Sequence, residues 1–146
     1  MCRKKRFIKI GALFLAVLLA AVAAPKPAPA DSGTQYVRVL LSTSGATSLT
    51  IPVTGSYTLT EASRSFTGGT LTITGAGSTV TATHSSEGLL YSGKSLSFER
   101  QNLSRTAGHF SIKTSTGTRL YLGHFKITAA SGVLQVVNRV PLSHYL

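Results

Sequence analysis

From Tyr36 onward, apolar and polar residues alternate with a period of two. Val37, Val39 and Leu41 alternate with Arg38 and Leu40, and Leu49, Ile51 and Val53 alternate with Thr50 and Pro52. Tyr57 and Leu59 follow Gly55 in the same phase, Leu71 and Ile73 alternate with threonines, and Val80 and Ala82 resume after Gly75 and Gly77. Leu96 with Phe98, Phe110 with Ile112, and the run from Tyr121 to Ile127 continue it. Such alternation predicts strands with one face in a core and the other carrying threonine. Threonine is β-branched and prefers a strand to a helix. Turns are expected at Gly68-Gly69, Gly75-Ala76-Gly77, Ser92-Gly93, Thr116-Gly117 and Ser131-Gly132. The segments are short and the turns closely spaced, which predicts an all-β fold of short antiparallel strands, a sandwich or partly open barrel. Glu99 to Ala107 is the one stretch with room for a helical turn, and it reads better as a loop. Val133 to Val140 is nearly continuous apolar and predicts a strand buried on both faces, followed by a turn at Pro141. The regular apolar positions argue against a flexible Ser/Thr-rich stalk. The chain closes on Leu146 just as a new apolar element begins, as a truncated piece of a longer protein would.

The first thirty residues follow another logic. Arg3, Lys4, Lys5, Arg6 and Lys9 precede an apolar run from Ile10 to Ala24, and Ala28-Pro29-Ala30 supplies small residues for cleavage. This layout predicts a secretory signal peptide over residues 1–30, its apolar part helical, and a protein exported to the cell envelope. The alternative is an uncleaved anchor over residues 7–24, which is short for a bilayer. The domain proper is expected over residues 36–146.

Removing the leader changes the charge. The whole chain carries +11, whereas from Asp31 on nine basic and four acidic side chains leave +5. The nine stand singly along the chain, without the basic cluster and interleaved aromatics that nucleic-acid binding uses. No nucleic-acid partner is expected. A modestly basic exported domain suits an anionic envelope. The only cysteine is Cys2, inside the leader, so disulfides, thiolate metal sites and a cysteine nucleophile are excluded from the domain. About 115 residues suffice to build a core without such staples.

Candidate chemistry is sparse. His84, His109, His124 and His144 lack metal-ligand spacing, and no metal or cofactor is expected. His124 and Lys126 share one strand face, opposite Gly123, Phe125 and Ile127, and could form a wet binding face. Gly68-Gly69 and Gly75-Ala76-Gly77 read as turns, without a following helix to hold phosphate. Glycan cleavage needs a carboxyl group set at the glycosidic oxygen. Asp31, Glu61, Glu87 and Glu99 are the candidates, and each reads as a solvated surface charge, so no catalytic residue is assigned.

Three stretches resemble the stage II sporulation protein D family, with its SpoIID/LytB domain. Val37-Arg38-Val39-Leu40-Leu41 is similar to the family's opening strand. Arg119 to Ile127 resembles the segment in which a Tyr-Arg-Gly tripeptide sits in an alternating strand. Leu134 to Leu146 resembles the family's Val-Asn-x-hydrophobic-x-Leu-Glu-x-Tyr-Leu element. Leu122 stands where the family often has arginine, and Ser143 where it usually has glutamate. The family's catalytic glutamate follows in a Gly-Val-Val-x-x-Glu-Met run that would come after Leu146. The resemblance implies a peptidoglycan lytic transglycosylase or amidase enhancer of sporulation and envelope remodelling, here without its acid and so inactive alone. It also implies Asn138, Arg139 and Tyr145 as residues shaping a glycan groove, with Tyr145 able to stack on a sugar ring. The implied partner is peptidoglycan or a cell-wall hydrolase. The alternative expectation is a non-catalytic β module that binds wall polymer or such a hydrolase.

Overall fold

The computed structural model describes residues 33–104 and 106–145. The signal peptide expected over 1–30 and the anchor alternative over 7–24 lie outside the described residues. From Thr34 on, the chain forms one compact unit. Eleven strands follow in order: β1 (Tyr36–Leu41), β2 (Ser48–Leu59), β3 (Arg64–Thr67), β4 (Thr70–Ala76), β5 (Thr79–His84), β6 (Gly88–Gly93), β7 (Ser95–Arg100), β8 (Gly108–Thr114), β9 (Gly117–Tyr121), β10 (His124–Ala130) and β11 (Val133–Pro141). A single turn of helix, α1 (Leu142–Tyr145), follows β11. The pairings are antiparallel. The fold is all-β as the alternation predicts, built as an open sheet rather than a closed barrel.

The sheet runs β1-β11-β10-β7-β2-β4-β5-β6. Its spine is β2, longer than the sequence suggests because it passes straight through Gly55. The first half of β2 pairs with β4, its middle with β8, and its last residues with both β3 and β7. The two wings therefore diverge from one strand and close over a common core. That core holds Tyr57, Phe98, Phe110 and Phe125, all at most 2% exposed, with Leu and Ile from both wings. Phe110 of β8 stacks on Phe125 of β10 at 4.2 Å and an angle of 2°. Tyr57 lies 4.6 Å from Phe110. Aromatic pairs of this kind contribute beyond their buried area.

Glycine is indispensable where β2 and β8 pair at Gly55 and Gly108. A Cβ on Gly55 would stand 2.3 Å from the Ala107 carbonyl oxygen, and one on Gly108 2.4 Å from the Thr54 oxygen; φ is +87° and +142°. Both the close approach and the backbone angle exclude a side chain.

Several local expectations need correction. Glu99 and Arg100 belong to β7 rather than to a loop or helical turn, because Phe98, Glu99 and Arg100 are paired to β2. β11 is not buried on both faces. Leu134, Val136 and Val140 are buried, whereas Val133 is 36% exposed, because burial along β11 alternates and only one face turns to the core. Gly75 and Ala76 close β4 instead of turning, and Ser92-Gly93 ends β6.

Candidate functional site

The outer face of the β1-β11-β10-β7 sheet gathers charge from separate strands. Arg38 of β1 pairs in register with Arg139 of β11, which pairs with His124 of β10. One row along, Lys126 of β10 lies between Val137 of β11 and Ser97 of β7. Side chains of a strand alternate between faces, so register brings these groups to one side. They line a groove of about 350 Å³ together with Glu99. Basic residues that stand singly along the chain thus converge in space.

Two like charges opposite one another are unfavourable. Arg139 avoids Arg38 by turning across the sheet. Its Nη2 donates to both carboxylate oxygens of Glu99, at 3.1 and 3.0 Å. Its guanidinium also lies 4.7 Å from the centre of the Tyr36 ring, a cation–π contact. Arg38 and Lys126 have no hydrogen-bond or ion-pair partner among the described residues. The groove therefore presents two uncompensated cations beside a third that is already paired.

His124 forms the floor. Its Nδ1 is 2.8 Å from Glu99 Oε2 and 2.9 Å from the Arg100 amide nitrogen. A neutral ring serves one of these at a time: protonated at Nδ1 it donates to Glu99, otherwise it accepts from Arg100. Burial pushes the ring's pKa below its usual value. Glu99 opposes that shift, and Arg139 and Arg100 add to it. The ring thus meets Glu99 as a hydrogen-bond donor only in its Nδ1-protonated form. Nε2 is buried without a partner, so neither nitrogen is offered to a ligand.

Asp31 lies outside the described residues, and the other three carboxyl groups are each engaged. Glu99 is engaged by Arg139 and His124. Glu61 accepts hydrogen bonds from the Ser97 amide (2.8 Å) and hydroxyl (2.7 Å) and, more weakly, from the Ser95 hydroxyl (3.4 Å). Burial alone would raise its pKa, but these donors outweigh burial and lower it. Glu87 sits at the surface, 3.5 Å from Arg64.

The three residues implied by the resemblance do not share one groove. Arg139 lines the cationic groove. Asn138, next in sequence, faces inward at 5% exposure. Its Nδ2 donates to the carbonyls of Leu122 and His124, at 2.7 and 3.2 Å, tying down the start of β10. Tyr145 is 59% exposed on α1 and lines a second, more apolar hollow with Asn138 and Val140. The alternation in β10 already placed His124 and Lys126 on one face. Arg38 and Glu99 were missed because nothing in the sequence says that β7 and β1 flank β10 and β11.

Family models, curated proteins and solved structures return no match to the chain. The functional reading therefore rests on the groove and on the sequence. Among the described residues, no group of three or more His, Cys, Asp or Glu side chains is arranged to hold a metal ion. No described helix is long and apolar enough to cross a membrane.

His84 has a structural role that spacing could not reveal. Its Nδ1 faces the amides of Ser86 and Glu87, both at 3.3 Å, so it is the accepting nitrogen and Nε2 donates to the Gly68 carbonyl at 2.8 Å. The ring thereby clamps the turn between β3 and β4. A Cβ on Gly69 would fall 2.6 Å from Nε2.

Proposed function

We propose that this chain is an exported, non-catalytic β module that docks on an anionic polymer of the cell wall. The observation that carries the reading is the pair of unpartnered cations, Arg38 and Lys126, bordering a groove whose one carboxylate is held by Arg139 and His124. Carboxylates or phosphates on a polymer would occupy the space between those cations. Ser97 and the apolar wall at Val137 would contact the sugar framework. Export rests on the leader-like run from Arg3 to Ala30. Peptidoglycan is the first polymer to test. Co-sedimentation of the purified chain with insoluble wall should fall at least tenfold when Arg38 and Lys126 are both changed to Gln, and should fall with rising salt. Undiminished binding by the double variant would remove the groove from the account.

A SpoIID/LytB-type wall-remodelling protein is the second reading. It rests on the resemblance of three stretches of the sequence. They form β1, the β9–β10 region, and β11 with α1, and β11 lies between β1 and β10. Release of anhydro-sugar products from peptidoglycan by the purified chain would replace the binding module with an enzyme.

A further inference from the structure

At one end of the sheet β1 pairs with β11 alone among the described strands, and β9 pairs with β8 alone. Each keeps one edge of main-chain N–H and C=O groups without a strand partner. Between the two strands runs a slot made of two adjoining hollows, about 250 and about 420 Å³, and Val39, Leu41 and Tyr121 line both. The floor continues into the core, with Leu41 and Val140 each 7% exposed. Leu120 at the mouth is 64% exposed.

Edge strands are commonly defended by bulges, prolines or lysines. The opposite end of the sheet has such a defence, since pairing onto β6 shifts register between Ala82 and Thr83. β1 carries one charge, Arg38, but keeps regular register over all six residues and contains neither proline nor lysine. No acidic residue lines either hollow, and Arg119 lines one of them. The domain is itself basic, so a second copy laid edge to edge would set like charges together. An acidic strand would not.

We propose that the slot between β1 and β9 receives an extended polypeptide segment of another protein, apolar at alternate positions and acidic between them, which adds to β1 as a new edge strand. Main-chain hydrogen bonds supply affinity in this mode, and alternate side chains dropped into pockets supply selectivity. Six residues of β1 offer about 20 Å of edge. The polymer-binding groove lies on the other face of β1, where the acidic side chains of the added strand would meet Arg38, so the two sites share that one cation.

The test titrates the isotope-labelled full chain with a capped eight-residue peptide of alternating glutamate and valine, followed by amide shifts and hydrogen exchange. Shifts and slowed exchange are expected in β1 and β9, without effect at Ser97 and Lys126. Of two peptides N-methylated at opposite sets of alternate residues, only the one whose methyl groups fall on the amides facing β1 should bind at least tenfold more weakly, as should a lysine–valine peptide. Lys126→Gln should leave peptide binding intact while weakening wall binding, which separates failure of one idea from failure of the other. Equal binding of the N-methylated peptides, absence of any protection in β1, or a peptide-free dimer with β1 protected would each overturn the proposal. The last outcome would make a second copy the occupant.

Discussion

Both carboxylate oxygens of Glu99 lie within hydrogen-bonding distance of a single nitrogen of Arg139, at 3.1 and 3.0 Å. Glu99 thus acts as an internal ligand for one groove cation and leaves Arg38 and Lys126 for an external one. The pair is partly solvated, with side-chain exposures of 35% and 42%, so it contributes little to stability, about 1 kcal/mol or less. Glu99→Gln should free Arg139, raise affinity for an anionic wall polymer by about threefold to tenfold and steepen its salt dependence between about 20 and about 200 mM. Co-sedimentation at the two salt concentrations measures both. Weaker binding by the variant would mean that Glu99 itself contacts the polymer.

Asn138 and Arg139 should separate stability from binding. Asn138→Ala leaves the Leu122 and His124 carbonyls without their donor, at a cost of about 1–3 kcal/mol. Arg139→Ala should cost under about 1 kcal/mol, since its partners are exposed, and should act mainly on polymer binding. Urea unfolding read beside co-sedimentation distinguishes the two. Equal destabilisation by both changes would contradict the placement of these residues on opposite faces.

Acid should weaken the fold in two windows. The folded-state pKa of His124 lies below the ordinary histidine value of 6.5. The unfolded chain therefore takes up a proton first as pH falls, and stability present above about 6.5 declines below it. His124→Gln should flatten that slope between pH 7.5 and 5.5. Glu61 is lowered from 4.5, so its contribution is complete above that value and is lost only at more acid pH. A His124→Gln slope identical to the parent's would assign the upper window elsewhere.

Base should act through Tyr57, whose phenol is pushed up to about 12 by burial, with Arg100 partly opposing. The folded state keeps its proton while the unfolded state loses it near 10, so stability is full below pH 10 and falls between 10 and about 12. The Tyr57 hydroxyl is buried without a partner. Tyr57→Phe should therefore be neutral or stabilising by up to about 1 kcal/mol at pH 8, and should reduce the alkaline loss. Denaturant titrations at pH 8 and 10.5 suffice. A marked loss of stability at pH 8 would reveal a hydrogen bond to that hydroxyl.

The close pairing of β2 with β8 at Gly55 should tolerate no side chain. Gly55→Ala should cost about 3 kcal/mol or more, because its Cβ meets backbone that cannot step aside. Gly77→Ala is the control. Its φ is +58° but open space surrounds it, so only the cost of a left-handed alanine applies, about 1 kcal/mol. Thermal unfolding of the two variants should differ accordingly. Similar melting temperatures would mean that the two strands can move apart.

Much of the fold was legible because a strand's inward positions are set by a local period of two. Leu49, Ile51, Val53, Tyr57 and Leu59 are all buried where alternation put them. What alternation could not reveal is that one strand runs on through Gly55, since that depends on Gly108 pairing with it there. The same limit explains Val133 to Val140. A run of valines looks doubly buried, yet whether a second layer covers it depends on distant segments. The helical turn at Leu142 was likewise hidden, because a four-residue element has no period to show.

The sequence by itself determined the class of structure: alternating apolar residues, β-branched threonines, closely spaced glycines and no cysteine after Cys2 admit an antiparallel β fold held by its core. It also put His124 and Lys126 on one strand face, since side-chain direction along a strand is local. Only the tertiary structure decided which strands became neighbours. That choice placed Arg38, Lys126 and Arg139 around one groove and turned Asn138 inward. Pairing partners are selected by long-range burial and backbone hydrogen bonding, which no short stretch of sequence contains.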